Sequence, residues 1–314
     1  MTGVKTRTEM MGATIDLGGR PIDLSDYATT GLRMIAVGPS GSGKTNAGLL
    51  ACEQLAQQGW ICVLVDPEME IRSLYGEPVE SPDELATRLR ARDQAFLVVD
   101  AADAEAFNPY GEVIAEIADE VRKPVVVMID EGQLFSASRD TRRHVGTKEA
   151  TDLVNDFMAR GRKRALDCII TCHRFTGSLN RSLFANVNLT LVGTQADPTA
   201  WNMLAPQFRT HKVTYADAAA LAPGEFYCFS RRGLDKFRLP LAKALAAVAN
   251  PARAPRHTLP TNFAQWDRAM SAMSTDRLES LTDPVVDLLS AIAGLTPAQI
   301  AAGRRVREEE LEIR

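Results

Sequence analysis

No stretch of this 314-residue chain approaches the ~18–20 consecutive apolar residues of a membrane-spanning helix. The N-terminus carries no apolar core of the signal-peptide kind, which points to a cytoplasmic protein with no membrane partner. Positive charge is not in excess: Lys and Arg number 36 against 40 Asp and Glu, a net charge of −4. That balance argues against nucleic-acid binding over the whole surface and confines any such contact to a local basic patch. Cysteine is sparse and odd in number, at five. Cys62, Cys168 and Cys172 fall in strand-like apolar runs, so they read as buried thiols rather than a disulfide framework. Cys172 and His173, adjacent on a strand, point to opposite faces with no fourth ligand nearby, which argues against a metal there. Internal repeats and low-complexity tracts are also lacking. What remains is a composition of 45% hydrophobic and 24% charged residues, ordinary for a globular protein. The length suits one large α/β domain with a small appendage.

The organising stretch is Gly38-Pro39-Ser40-Gly41-Ser42-Gly43-Lys44-Thr45. It fits G-x-x-x-x-G-K-[ST], the phosphate-binding loop, and its context is right. An apolar run from Leu32 to Val37 precedes it, and a helical pattern from Asn46 to Gln58 follows, ending at Gly59. Glycines let backbone N–H groups turn inward around phosphate oxygens, and the helix N-terminus adds its positive end. Residues 38–46 are therefore the candidate nucleotide-binding segment. Lys44 is expected to reach the β- and γ-phosphates of ATP, and Thr45 to hold Mg²⁺ through its hydroxyl. No Asn-Lys-x-Asp guanine-reading motif occurs.

A second anchor lies downstream. Val125 to Ile129 is a continuous apolar run that ends in Asp130-Glu131. Such a run fits a buried parallel strand that delivers Asp130 to the magnesium shell beside Thr45. Glu131 is then placed to orient and polarise the attacking water. A nucleotide switch that barely hydrolyses ATP has no need of this second acid.

Around these anchors the chain reads as α/β. Residues 1–30 form a lead and a short hairpin around Gly18-Gly19, the hairpin expected near the bound base. Ile61 to Val65 reads as a buried strand, with Glu68 and Glu70 just past its C-terminal edge. Ser81-Pro82-Asp83-Glu84 is a helix start, with Glu84 closing a capping box. Further strands are expected at Phe96–Val99, Asp167–Thr171, Leu189–Val192 and Phe226–Phe229, and helices at 111–122, 150–164 and 199–204. Residues 136–149 read as a polar loop. Residues 31–249 form the main domain, 250–261 a Pro-rich linker, and 262–314 a helical segment. Within that segment, residues 284–302 have the spacing of a helix–turn–helix. The cluster Arg160, Arg162, Lys163, Arg164 either complements a helix C-terminus or serves in catalysis.

GPSGSGKTNAG, the strand ending VDPE, MIDEGQLF, and ARGRKRALDCIITCHR followed by SLNRSLFANVNLTLVGT resemble the HerA/FtsK superfamily of pumping ATPases over roughly residues 30–240. The resemblance implies a RecA-like P-loop NTPase core of the ASCE type, a central mostly parallel sheet flanked by helices, with a small helical C-terminal tail. It implies a homo-oligomer, a hexameric ring, moving double-stranded DNA. Arg160 or Arg162 would then be an arginine finger on a neighbour's γ-phosphate, with Arg139 a second basic contact. The family usually ends the strand after the basic helix in Thr-Gln; here it is Thr171-Cys172-His173, and His173 either substitutes as a phosphate donor or is an ordinary strand-end residue. The same fold acting on a protein partner, such as a nuclease or a capsid or assembly protein, is the alternative.

Overall fold

Runs such as Met34–Val37, Ile61–Val65 and Val125–Ile129 carry apolar side chains on both faces, so each must be covered on both sides. They form the middle of one sheet. The computed structural model describes residues 13–121, 123–136, 145–160, 165–173 and 179–249. The expectations for the N-terminal lead, Arg139, Arg162 to Arg164, the linker and the helical tail fall outside these residues.

The strands are β1 (Thr14–Ile15), β2 (Ile22–Asp23), β3 (Arg33–Val37), β4 (Ile61–Asp66), β5 (Phe96–Asp100), β6 (Val125–Ile129), β7 (Leu166–Cys172), β8 (Leu189–Val192), β9 (Glu225–Ser230) and β10 (Gly233–Arg238). β1 and β2 pair as a hairpin, and the other eight form one sheet in the order β10-β9-β8-β3-β7-β6-β4-β5. From β8 to β5 neighbours run parallel, while β9 and β10 are antiparallel additions. The sheet is therefore mostly parallel, as the continuous apolar runs require.

The helices are α1 (Lys44–Gln57), α2 (Arg72–Tyr75), α3 (Pro82–Ala91), α4 (Ala104–Val121), α5 (Thr147–Arg160), α6 (Arg181–Phe184), α7 (Pro198–Phe208), α8 (Tyr215–Ala219) and α9 (Lys243–Ala249). Alternate strand residues face two cores. Ile35, Val63, Val127 and Ile170 pack with Leu85 of α3, Ile114 of α4, Phe157 of α5 and Leu204 of α7. Met34, Leu64, Met128 and Ile169 pack with Leu49 and Cys52 of α1 and with Ile15 and Ile22 of the hairpin. All five cysteines are buried and free.

Several elements depart from the sequence reading. α4 starts at Ala104, well before the expected 111, and runs through Pro109. Asp103 begins it by accepting the Ala106 N–H at 2.9 Å. The Ser81 hydroxyl does cap α3, accepting the Glu84 N–H at 3.2 Å. The Glu84 carboxylate, however, accepts the N–H of Glu80 rather than closing a box on Ser81. The β1–β2 hairpin is tied to the last turns of α1 through Gln54 and Gln58, and its described residues do not line the site below.

The described residues up to Ala246 make one compact unit. Among the described residues, no helix is long and apolar enough to cross a membrane.

Candidate nucleotide site

β3 ends at Val37 and α1 begins at Lys44, so the glycine-rich stretch is a strand-to-helix loop. Gly41 (φ 74°) and Gly43 (φ 96°) hold left-handed conformations that disfavour a Cβ. At Gly38 an added Cβ would come within 2.6 Å of Ser42 Oγ, so the loop closes on itself only with glycine there. Gly43 caps α1 without a side-chain hydrogen bond, which leaves first-turn N–H groups for an anion. Ser42 Oγ, 2% exposed as a residue, has no partner among the described residues. An orphaned buried hydroxyl in this loop is what a phosphate oxygen would satisfy.

The loop is braced from outside. Gly224 N–H donates to Ser42 O at 2.9 Å. Asn46 donates to Pro240 O at 2.9 Å and accepts from Ala242 N–H at 2.8 Å. Its side chain is thus spent on the chain after β10, and only its backbone remains for a nucleotide. On the inner side, α1 sits so close to β6 that a Cβ at Gly48 would lie 2.6 Å from Met128 Cε.

β6 carries Asp130 into reach of α1. Thr45 Oγ1 lies 3.2 Å from each Asp130 carboxylate oxygen. Thr171 Oγ1, near the end of β7, also donates to Asp130 and accepts the Glu131 N–H at 3.1 Å. β7 lies between β3 and β6 in the sheet, the position from which a strand end faces the γ-phosphate. Burial pushes the Asp130 carboxyl up to about 6; the Glu131 charge adds to this, while the Thr171 and Thr45 hydroxyls and Lys44 oppose it. A hydroxyl beside a buried carboxylate is an all-oxygen donor set that fits a hard divalent cation such as Mg²⁺.

Glu131 adopts a left-handed conformation (φ 48°) at the turn after β6. The turn is tight: a Cβ on Gly132 would come within 2.3 Å of Ile170 Cγ2. The Glu131 carboxylate lies 3.8 Å from Lys44 Nζ and 2.9 Å from His173 Nε2, and it accepts from Gln133 Nε2. Lys44, 4% exposed, also donates to Pro39 O at 3.3 Å. His173 thus stands on the site wall beside the acid. Gln133 was missed by the sequence reading; it lies two residues past the acid pair in a 3-10 turn, Gly132–Leu134, that no motif marks.

These groups line one cavity of about 480 Å³, with Ser40, Glu68 and Glu70 on its wall. That is ample for a nucleoside triphosphate. Arg160 ends α5, and the Ala159 carbonyl beside it accepts from Arg33, the first residue of β3. The strands carry the P-loop at their other end, so the C-terminal turn of α5 lies at the opposite edge of the sheet, about 20 Å away by the rise of a seven-residue strand such as β7.

No family model matches the sequence, and no curated protein does. Solved structures do. The genome-packaging NTPase B204 from Sulfolobus turreted icosahedral virus 2, in complex with AMPPCP, aligns with a TM-score of 0.52 at 14% identity, covering 68% of this chain and 100% of that one. Its complex with ATP-gammaS gives the same TM-score and identity. The pCW3 conjugation coupling protein TcpA, in its monomer form with ATPgS, aligns with a TM-score of 0.56 at 16% identity, covering 75% and 68%. The chain therefore shares its α/β fold, a mostly parallel central sheet flanked by helices, with these structures. At these identities the likeness is one of fold.

Proposed function

We propose that this chain hydrolyses ATP and, as an oligomeric ring, uses the energy to translocate or package double-stranded DNA. The observation that carries the hydrolytic half is the convergence of Lys44, Thr45, Asp130 and Glu131 on one cavity at the phosphate loop, with the buried Thr171 bonded to the acid pair behind it. The DNA half is supported by the roles of the similar structures, a genome-packaging NTPase and a conjugation coupling protein.

On this reading the amides of residues 40–45 and Lys44 Nζ bind the β- and γ-phosphates. Thr45 and Asp130 would hold Mg²⁺, which would supply positive charge to neutralise the phosphates. Glu131 orients a water and takes its proton as the water oxygen bonds to the γ-phosphorus. The bond from that phosphorus to the β–γ bridging oxygen breaks, and ADP and phosphate leave. Thr171 holds Asp130 and the Glu131 backbone in register, and His173 and Gln133 aim the Glu131 carboxylate. The edge position of the α5 C-terminus, a full strand length from the phosphate loop of its own chain, favours action of Arg160 or Arg162 on another subunit's nucleotide. The arginine would stabilise charge developing on the transferred phosphoryl group.

One observation favours a second reading, the same ATPase driving a protein partner: the net charge of −4. ATP hydrolysis measured with and without double-stranded DNA, at low and moderate salt, separates the two. The motor reading expects stimulation by DNA that fades steeply as salt rises, on a ring-sized assembly in the same buffer. Hydrolysis indifferent to DNA moves the assignment to a protein-directed ATPase, and no hydrolysis at all removes both.

A further inference from the structure

The last turn of α5 and the start of β7 are both anchored to the strand that carries the phosphate loop. Arg33 opens β3 and is 7% exposed. Its guanidinium donates to two carbonyls, Thr30 O and Ala159 O, the latter at 3.3 Å in the last turn of α5. A cation fits there because helix C-terminal carbonyls carry partial negative charge, and a rigid planar fork holds two separated acceptors in a fixed geometry that a compact ammonium does not impose. The far flank is fastened next door. Leu32 N–H donates to Asp167 Oδ1 at 2.7 Å, and Cys168 N–H donates to Leu32 O at 3.0 Å. Asp167 is itself held by Trp60 Nε1 at 2.8 Å. Residues 159 and 167 thus both rest on Leu32–Arg33. Four residues on from Arg33, at Val37, the same strand enters the phosphate loop. β3 is a central strand, paired on both sides by β7 and β8, so it behaves as a strut.

We infer that Arg33 is a positioning residue: it fixes the Arg160 end of α5 to the P-loop strand, so that the arginine a subunit offers its neighbour is held in register with that subunit's own phosphate loop. The inference rests on the trans-arginine reading above. It gives β3 a second role, as the link between binding nucleotide and acting on the next site.

The test compares Arg33→Met and Arg33→Lys with the full chain, reading kcat, KM and the affinity of a non-hydrolysable ATP analogue. For Arg33→Met, kcat should fall by about tenfold or more, as expected when a trans arginine is misplaced. Analogue affinity should stay within about threefold, since its own phosphate loop is intact. Arg33→Lys should keep more of kcat, and it carries the test if the Met variant fails to fold. Mixing Arg33→Met with Lys44→Ala subunits, which bind no phosphate but present a well-placed arginine, should restore part of the lost turnover. Unchanged kcat, loss of affinity in step with kcat, or no recovery on mixing overturns the inference. Arg160→Ala and Arg162→Ala are run alongside. Full activity in both removes the trans-arginine reading and this inference with it. A defect in either beside a wild-type rate for Arg33→Met removes the inference alone.

Discussion

Glu131 illustrates how much chemistry one residue concentrates. Its backbone is left-handed, its N–H rests on Thr171, and its carboxylate meets Lys44, His173 and Gln133. Glu131→Gln keeps the shape and removes the proton acceptor, so kcat should fall by ~10²–10⁴-fold while ATP binding, read by equilibrium dialysis, persists. Normal turnover in that variant would sink its assignment as the base. Asp130 makes a different prediction. Its folded value of about 6 lies above the ordinary 3.8, so the folded protein holds this proton more tightly than the unfolded chain does. The group costs nothing below about 3.8; stability falls as pH rises toward 6 and stays lower above, by up to about 3 kcal/mol. In chelator and without nucleotide, Asp130→Asn should therefore melt above the wild type at pH 8 and converge with it at low pH, while losing ATPase activity. A calorimetric scan in which the variant melts lower at every pH contradicts this. At this scale the sequence was informative where a motif fixes spacing. Lys44, Thr45, Asp130 and Glu131 were readable because phosphate and cation chemistry allow few substitutes. Gln133 was not, because its role depends on a 3-10 turn whose path is set by Gly132 passing under Ile170.

Among the elements, the parallel strands were the legible part. A strand buried on both faces has to be a continuous apolar run, and Ile61–Val65 and Val125–Ile129 are such runs. The helix starts were harder. The sequence reading opens a helix at Gly111, yet α4 begins earlier, at Ala104, and takes in Pro109. Gly111 is there because α5 crosses closely: a Cβ would meet Leu153 Cδ1 at 3.0 Å and Phe107 Cε1 at 3.1 Å. Tertiary packing outweighs the local cost of the glycine. α7 likewise runs through Pro206, and the short helices α2 and α8 carry too few residues for a periodic signal. The bracing of α1 by the chain after β10 was also invisible, since it joins residues nearly two hundred positions apart. Asn46→Ala removes both of its hydrogen bonds to that segment. The variant should lose ~1–3 kcal/mol of stability, part of it from the unsatisfied Ala242 N–H. A urea-denaturation midpoint indistinguishable from the wild type's would show that the brace is dispensable.

For the whole molecule, the proposed trans arginine would make hydrolysis a property of an assembly. Arg160→Ala or Arg162→Ala subunits should turn over slowly alone and recover part of the rate when mixed with Lys44→Ala subunits, since each then supplies what the other lacks. Additive rates in the mixture, or activity that does not depend on protein concentration, would make the chain a self-sufficient monomer. The five buried cysteines lend the molecule a built-in clock. Burial holds the Cys168 thiol up near 12, and Cys172, beside the site wall at the end of β7, is raised further by the same cause. In the closed sheet neither offers a thiolate to an alkylating reagent, so labelling waits for the core to open. The rate at which iodoacetamide marks Cys172 then times the breathing of the sheet, and ATP bound across β3, β6 and β7 should slow that clock.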